Sequence, residues 1–384
     1  MSETKYSKGT FGYDAEFISS RFDSIILSEG ESKILLSAKL QSRVVTSSAA
    51  GMNGKSHGWI NYDLINSGKI VEHMNPYGGE ERFWIGPEGG QFSVFFRKGV
   101  QFDLEHWFTP KEIDTDEYKL ISSDEKKASF SKDMHIINYA GSKIDISLRR
   151  EVRIIPIKKI SVNLSLELPS DVQSVAFESD NCISNAGANE WTKETGAPSI
   201  WMIGMLNCSP CVTVAVPYKT GDDKKLGKIV TDDYFGIPPK DRLKVDEGII
   251  FFKGDANFRS KIGIAPKRVI PTLGSYDSES NVLSIMKFSF RDGIEDYVNS
   301  LWKLQDEPFR GDVINSYNDG PNETGSQLGK FFELENSSPA AFLKPGESYT
   351  HKSSMYHFTG NEKSLSKISK AVLGVDIDKI KFAL

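Results

Sequence analysis

The stretch "SKIDISLRREVRII", Ser142 to Ile155, places Ile144, Ile146 and Leu148 two residues apart, with polar side chains between them. Period two puts these apolar groups on one face of an extended chain, the pattern of a half-buried antiparallel strand. "KKISVNLSLELP", Lys158 to Pro169, repeats it with Ile160, Val162, Leu164, Leu166 and Leu168, and "SIMKFSF" does so with Met286, Phe288 and Phe290. Clusters of Gly, Asn, Asp, Ser and Pro separate short strands of this kind, without regular alternation of strand and helix and without an internal repeat. The fold class expected is all-β: a large antiparallel β-sandwich, two sheets face to face, with a few short helices. Large all-β folds use a length of 384 residues as one unit, so residues 1–384 are expected to form a single domain. Residues 1–10 read as a polar N-terminal tail and 362–384 as a C-terminal helical segment.

Helices are expected at "DAEFISSRF", Asp14 to Phe22, at "IEDYVNSLWKLQ", Ile294 to Gln305, and at "SLSKISKAVLG", Ser364 to Gly374. In the last, Leu365, Ile368, Ala371 and Val372 fall at helical spacing and Gly374 closes the helix. The long stretch from Pro217 to Gly248 carries aromatic and apolar residues and reads as an ordered excursion over one sheet face.

Composition removes several functions. Hydrophobic residues make up 39%, charged residues 26% and aromatics 11%, an ordinary globular balance. A net charge of −5 and no long Lys/Arg run argue against nucleic acid as a partner. No apolar run is long enough for a transmembrane segment, and the start "MSETKYSKGTFGYD" has no hydrophobic signal core. That polar start suits a cytoplasmic chain or a tether behind a removed targeting segment. Three cysteines, Cys182, Cys208 and Cys211, give no disulfide framework, and no second Cys/His pair accompanies Cys208 and Cys211 as a metal site would need, so buried thiols in a strand-loop region are expected. No cofactor or metal is expected. "AAGMNGKS", Ala49 to Ser56, nearly mimics a phosphate loop but has Ala49 where glycine is required and no amphipathic helix after it.

Candidate site residues gather in "NPYGGEERFWIGPEGGQFSVFF", Asn75 to Phe96, where two glycine pairs flank Glu81, Arg82, Trp84 and Glu88. Aromatic faces stack on the C–H faces of sugar rings, while carboxylates and guanidinium groups grip hydroxyls. The same residues also suit a turn ordered by Arg82 with Glu81 or Glu88, with Trp84 in the core. His106, in "FDLEHWFTP", sits among aromatics and is an acid/base candidate because its ordinary pKa lies near neutrality.

The C-terminal strands read "FFELENSSPAAFLKPGESYTHKSSMYHF", Phe331 to Phe358. This resembles the end of the aldose 1-epimerases (galactose mutarotases). There a Leu-Glu segment is followed by Pro-Asp-Ala, a Pro-Gly-Glu-Thr/Ser-Tyr turn and a strand ending Tyr-x-Phe. The matches are Leu334-Glu335, Pro339-Ala340, Pro345 to Tyr349, and Tyr356 to Phe358, with Pro339 one residue early. "GGEERFWIGPE" resembles the Gly-Gly-x-Arg-x-Trp-x-x-Pro-Glu signature of uncharacterised bacterial families of the mutarotase-like superfamily. The whole chain is most similar to one of these, often found as lipoproteins. The blocks that carry the likeness include "GWINYDL", "WTKETGAPSIWMIGM", "DDYFG", "FFKGDANFRSKIG", "LGSYD" and "NSYNDGP".

The resemblance implies a supersandwich with a concave carbohydrate site. It implies Glu335 as base, Arg82 as the group gripping the sugar, and His106 as the match to the family's first histidine. It also favours a periplasmic or cell-surface lipoprotein whose targeting segment is absent here over a cytoplasmic protein. The second histidine of true mutarotases is missing, and Trp191 to Trp201 takes its place. Trp84, Glu81, Glu88 and Trp201 are expected to bind substrate, and Asp233, Tyr234 and Lys261 to close the cleft rim. Ring opening then needs Glu335 to take the anomeric proton and an acid to protonate the ring oxygen. The other readings are a non-catalytic carbohydrate-binding protein, a glycoside hydrolase pairing Glu335 with Glu88 or Glu81, and a lyase.

Overall fold

The computed structural model describes residues 5–322 and 324–384, so part of the expected tail, residues 1–4, lies outside the described residues. The chain opens with helix α1 (Phe11–Ser19), N-capped by Thr10, and strands β1 (Ile25–Glu29), β2 (Ser32–Ser37) and β3 (Arg43–Ser48), which form a three-stranded sheet. Helix α2 (Tyr62–Ser67), strand β4 (Arg82–Gly86) and the single turn α3 (Lys111–Asp114) follow. Next come β5 (Lys119–Ser123), β6 (Lys127–Ile137), β7 (Lys143–Ile154), helix α4 (Ile157–Leu164), β8 (Gln173–Asn185), β9 (Ser199–Asn207) and β10 (Val212–Pro217).

The second half holds the turn α5 (Asp223–Leu226) and strands β11 (Leu243–Asp246), β12 (Ile249–Lys253), β13 (Ser260–Ile264) and β14 (Thr272–Asp277). It continues with β15 (Val282–Phe288), β16 (Ile314–Asn318), β17 (Phe331–Ser337) and β18 (Ser348–Thr359), and ends with helices α6 (Glu362–Leu373) and α7 (Ile377–Lys381).

Two antiparallel sheets dominate. Ten strands run in the order β11-β12-β10-β14-β15-β18-β8-β7-β6-β5, and five in the order β13-β16-β17-β9-β4. The apolar layer between them takes Leu148, Val152, Phe177, Met286 and Met355 from the larger sheet and Phe83, Met202, Ile262 and Leu334 from the smaller. Behind the larger sheet a second layer joins Ala176, Leu283, Ile285 and Phe358 to Leu365, Ile368 and Ile380 of α6 and α7. Both faces of the central strands are thereby covered, each fully buried Leu, Ile or Phe contributing about 1.5–3 kcal/mol.

Three expectations need correction. Residues 158–169 are not a strand. Ile160 and Leu164, one helical turn apart, are the buried residues of α4, while Val162 between them is 67% exposed. Residues 294–305 form no helix; the chain there is irregular and packs on Gly89, where a Cβ would come within 2.4 Å of the Leu301 carbonyl oxygen. Cys211 is exposed rather than buried, and all three thiols are free. The near phosphate loop is a single 3-10 turn, Gly51–Asn53. No helix among the described residues is long and apolar enough to cross a membrane.

Candidate active site

Strand register decides which side chains meet. In the five-stranded sheet, β17 pairs Glu335 with Asn315 of β16 and Ile203 of β9, and Ile203 in turn pairs with Arg82 of β4. The neighbouring row runs Ser337, Trp201, Trp84, and the next runs Lys261, Tyr317, Glu333, Met205. Residues two apart share a face. Lys261, Asn315, Glu333, Glu335, Trp201, Arg82 and Trp84 therefore stand on the face turned away from the sandwich core.

Glu335 is fully buried on this face. Its Oε2 accepts hydrogen bonds from Trp201 Nε1 at 2.8 Å and from Lys261 Nζ at 3.0 Å, while its buried Oε1 has no protein partner. Burial alone would lower the Lys261 ammonium, but the charges of Glu335, Glu88 and Glu333 outweigh it and hold the group above its ordinary value. Arg82 Nη2 donates to Glu333 Oε1 at 2.9 Å, and its guanidinium lies 4.1 Å from the centre of the Trp84 ring. Arg82 Nε and Nη1, Trp84 Nε1 and Ser199 Oγ on the same sheet face have no protein partner either. Burial raises Glu333 to about 8, aided by Glu335 and opposed by Arg82. Trp84 packs edge-on against Trp201 with ring centres 5.5 Å apart.

Above this face lies a narrow cleft, lined among others by Trp201, Lys261, Tyr234, Asp312 and Asn315. Tyr234 arrives on the 217–248 excursion, which crosses the sheet edge where Thr231 bridges Gly263 of β13. Its hydroxyl donates to Asp312 Oδ2 at 2.7 Å and accepts from Asn315 Nδ2 at 3.2 Å; Thr231 Oγ1 donates to Asp312 Oδ1 at 3.2 Å. Burial raises Asp312 to about 6 despite those hydrogen bonds, and raises the Tyr234 phenol well above its ordinary range. Glu88 is half-buried, and burial raises its carboxyl with Lys261 opposing.

Lys261, Trp201, Glu335 and Tyr234 thus come together, with Arg82 and Trp84 alongside and Glu88 near enough to feel Lys261. The other expected members are placed differently. Glu81 points to the opposite face, where its Oε1 pairs with Arg150 Nη2 at 2.7 Å between the sheets, both side chains buried. Adjacent residues of a strand face opposite ways, so Glu81 and Arg82 cannot line one cleft. His106 sits in an exposed turn with its Nδ1 2.7 Å from Asp103 Oδ1. Asp233 is exposed beside Tyr234. Asp312, Asn315 and Glu333 escaped the sequence reading. The signal for Glu333 was its place two residues before Glu335, which puts both carboxylates on one face. Asp312 joins the site through a loop contact 78 residues away in sequence, which no local pattern encodes.

The glycine pairs follow from close approach. A Cβ on Gly78 would come within 2.0 Å of the Trp59 carbonyl oxygen. The chain must pass this tightly to deliver β4 to the sheet.

A family model described as a family of unknown function, DUF6786, matches residues 9–384. The chain belongs to that family. No curated protein matches it. Among solved structures, a putative aldose 1-epimerase from Escherichia coli K12 is similar with a TM-score of 0.50 at 12% identity, over 88% of this chain and 99% of that one. A galactose mutarotase related enzyme from Lactobacillus acidophilus matches with a TM-score of 0.46 at 8% identity, over 87% and 97%. A galactose mutarotase-like protein from Lactobacillus casei matches with a TM-score of 0.46 at 7% identity, over 87% and 100%. The DUF6786 chain thus has the galactose mutarotase-like β-sandwich fold, as the C-terminal motif implied.

Chemically, the DUF6786 cleft offers the Asp312 carboxyl, raised to about 6, the Lys261 ammonium group and the Trp201 indole, with Glu335 buried beneath Trp201 and Lys261. These groups suit proton transfer on a small polyhydroxylated molecule.

Proposed function

We propose that the protein binds a free sugar in this cleft and catalyses aldose 1-epimerase-like ring opening. The observation that carries the reading is the Oε1 oxygen of Glu335, buried and without a protein partner beside an oxygen held by Trp201 and Lys261. Leaving such an atom unpaired costs about 1–3 kcal/mol, which the anomeric hydroxyl of a bound sugar relieves by donating to it.

In this reading Glu335 takes the anomeric proton. Asp312 delivers a proton to the ring oxygen, the role that the sequence pointed toward His106. The ring C–O bond then breaks as the aldehyde forms, the chain turns about C1–C2, and the two transfers reverse on the other face. Asp312 suits the acid role because its carboxyl lines the cleft and stays partly protonated near neutral pH. Lys261 Nζ and Trp201 Nε1 hold the other oxygen of Glu335 in place, and the rings of Trp201 and Tyr234 wall the cleft against the pyranose. The likeness in fold to a putative aldose 1-epimerase supports a carbohydrate ligand.

One feature favours binding without catalysis: Glu335 has no exposed surface beneath Trp201 and Lys261. The test is proton NMR of the anomeric signals of a panel of free aldoses with wild type and Glu335→Gln. Acceleration by wild type and its loss in the variant support catalysis. Line broadening with equal exchange rates in both proteins supports a binder. No effect on any aldose removes the sugar reading.

A further inference from the structure

A second group of reactive side chains lies outside the cleft and shares no lining residue with it. Ser284 of β15 and His357 of β18 are direct cross-strand partners. The Ser284 hydroxyl stands 2.8 Å from His357 Nδ1, and His357 Nε2 is 3.3 Å from Glu80 Oε2. Glu80 is fixed from behind, accepting from the Ser47 backbone N–H at 2.5 Å and the Ser47 hydroxyl at 2.8 Å. Because Glu80 accepts from Nε2, Nδ1 is left as the acceptor for the serine proton. Ser284 also forms part of the wall of a narrow cleft, with His57, Lys55 and the apolar Leu206, Val212 and Phe332. The His57 ring stacks on His357 at 4.2 Å, and burial together with the neighbouring His357 holds it well below its ordinary pKa.

We propose that Ser284 is the nucleophile of a second, acyl-transfer site, with His357 as its base, Glu80 as the group that orients the base, and a short-chain carboxylic ester as substrate. The roles follow from geometry: a hydroxyl at a cleft wall, a base within hydrogen-bond reach behind it, and a carboxylate behind the base. The Ser284 proton passes to His357 Nδ1 as Oγ bonds to the ester carbonyl carbon. The alkoxy C–O bond then breaks and Nδ1 returns the proton to the leaving alcohol. Water, deprotonated by the same nitrogen, hydrolyses the acyl-serine. Lys55 is the cation facing the charge that develops on the carbonyl oxygen, and the apolar wall suits a short acyl chain.

The test treats the full-length protein with a fluorophosphonate probe, maps the adduct by peptide mass spectrometry, and follows p-nitrophenyl acetate hydrolysis. One adduct on Ser284 is expected, absent in Ser284→Ala, and formed about 10²–10⁴-fold more slowly in His357→Gln. Wild type that carries no adduct on Ser284 overturns the proposal without any variant having to fold. So does labelling of Ser284 at an undiminished rate in folded His357→Gln. Both outcomes are independent of aldose chemistry in the first cleft.

Discussion

Lys261 Nζ stands 3.0 Å from Glu335 Oε2 across the intervening strand β16, an ion pair on the buried face of the five-stranded sheet. Neither partner is well hydrated, so each depends on the other. Lys261→Met leaves a buried carboxylate uncompensated, and breaking such a pair from one side costs about 3–5 kcal/mol. The double variant Lys261→Met, Glu335→Gln is expected to recover most of that loss. Urea unfolding of the four proteins in a double-mutant cycle checks this. Equal losses in the single and double variants would contradict the coupling.

Asp312 gives a pH signature with a definite sign. Its folded pKa is raised to about 6 from 3.8, so its share of stability is complete below pH 4 and is lost as pH rises through about 6. Asp312→Asn escapes that loss. The variant is expected to gain stability relative to wild type as pH rises from 4 to 6, then keep a constant margin. Sugar turnover should fall in wild type above about pH 6, as the acid deprotonates, and be largely lost in the variant. Chemical unfolding midpoints and anomeric exchange rates over pH 4–8 measure both.

His351 gives the opposite sign. It is buried between Asn336 and Ser289, and burial holds its imidazole down to about 3. The unfolded chain takes up the proton near pH 6.5 while the folded chain does not. Its stabilising share is therefore complete above pH 6.5 and lost on acidification, by up to about 1.4 kcal/mol per pH unit. His351→Gln should flatten the acid limb of the stability profile between pH 6.5 and 4, read from urea midpoints.

Glu81 and Arg150 tie the two sheets together from the inside, with both side chains at most 1% exposed. Arg150→Met is expected to destabilise the protein by about 3–5 kcal/mol through the unpaired Glu81 carboxylate. Once the variant is held folded, its sugar binding should match wild type, since Glu81 faces away from the cleft. Weaker binding by folded Arg150→Met would return Glu81 to the site.

Much of this was legible in the chain because strands write their burial at period two. The alternation of Ile144, Ile146 and Leu148 became β7, and the helical spacing from Leu365 became α6, ended by Gly374 in the left-handed conformation. The misreading of residues 158–169 shows where this signal fails. Ile160 and Leu164 satisfy period two and period four equally, and only the exposure of Val162 separates them. In the site, the motif around Glu335 led to the floor, and Arg82, Trp84, Trp201, Lys261 and Tyr234 joined it through register or a loop crossing. Glu81 was misplaced because its neighbourhood in sequence hides the reversal of direction along a strand. Asp312 was invisible because its role depends on Tyr234, which folds over from another part of the chain.

If Glu335 exchanges protons with a sugar bound above it, the two anomers of that sugar interconvert faster in the presence of the protein. The most direct measurement is time-resolved proton NMR of the α and β anomeric signals of free aldoses, with wild type and Glu335→Gln at matched concentration and confirmed folding. Wild type is expected to accelerate exchange for at least one aldose, and Glu335→Gln to reduce it to the rate of buffer alone. Exchange at the buffer rate with wild type for every aldose, or equal acceleration by both proteins, would contradict it.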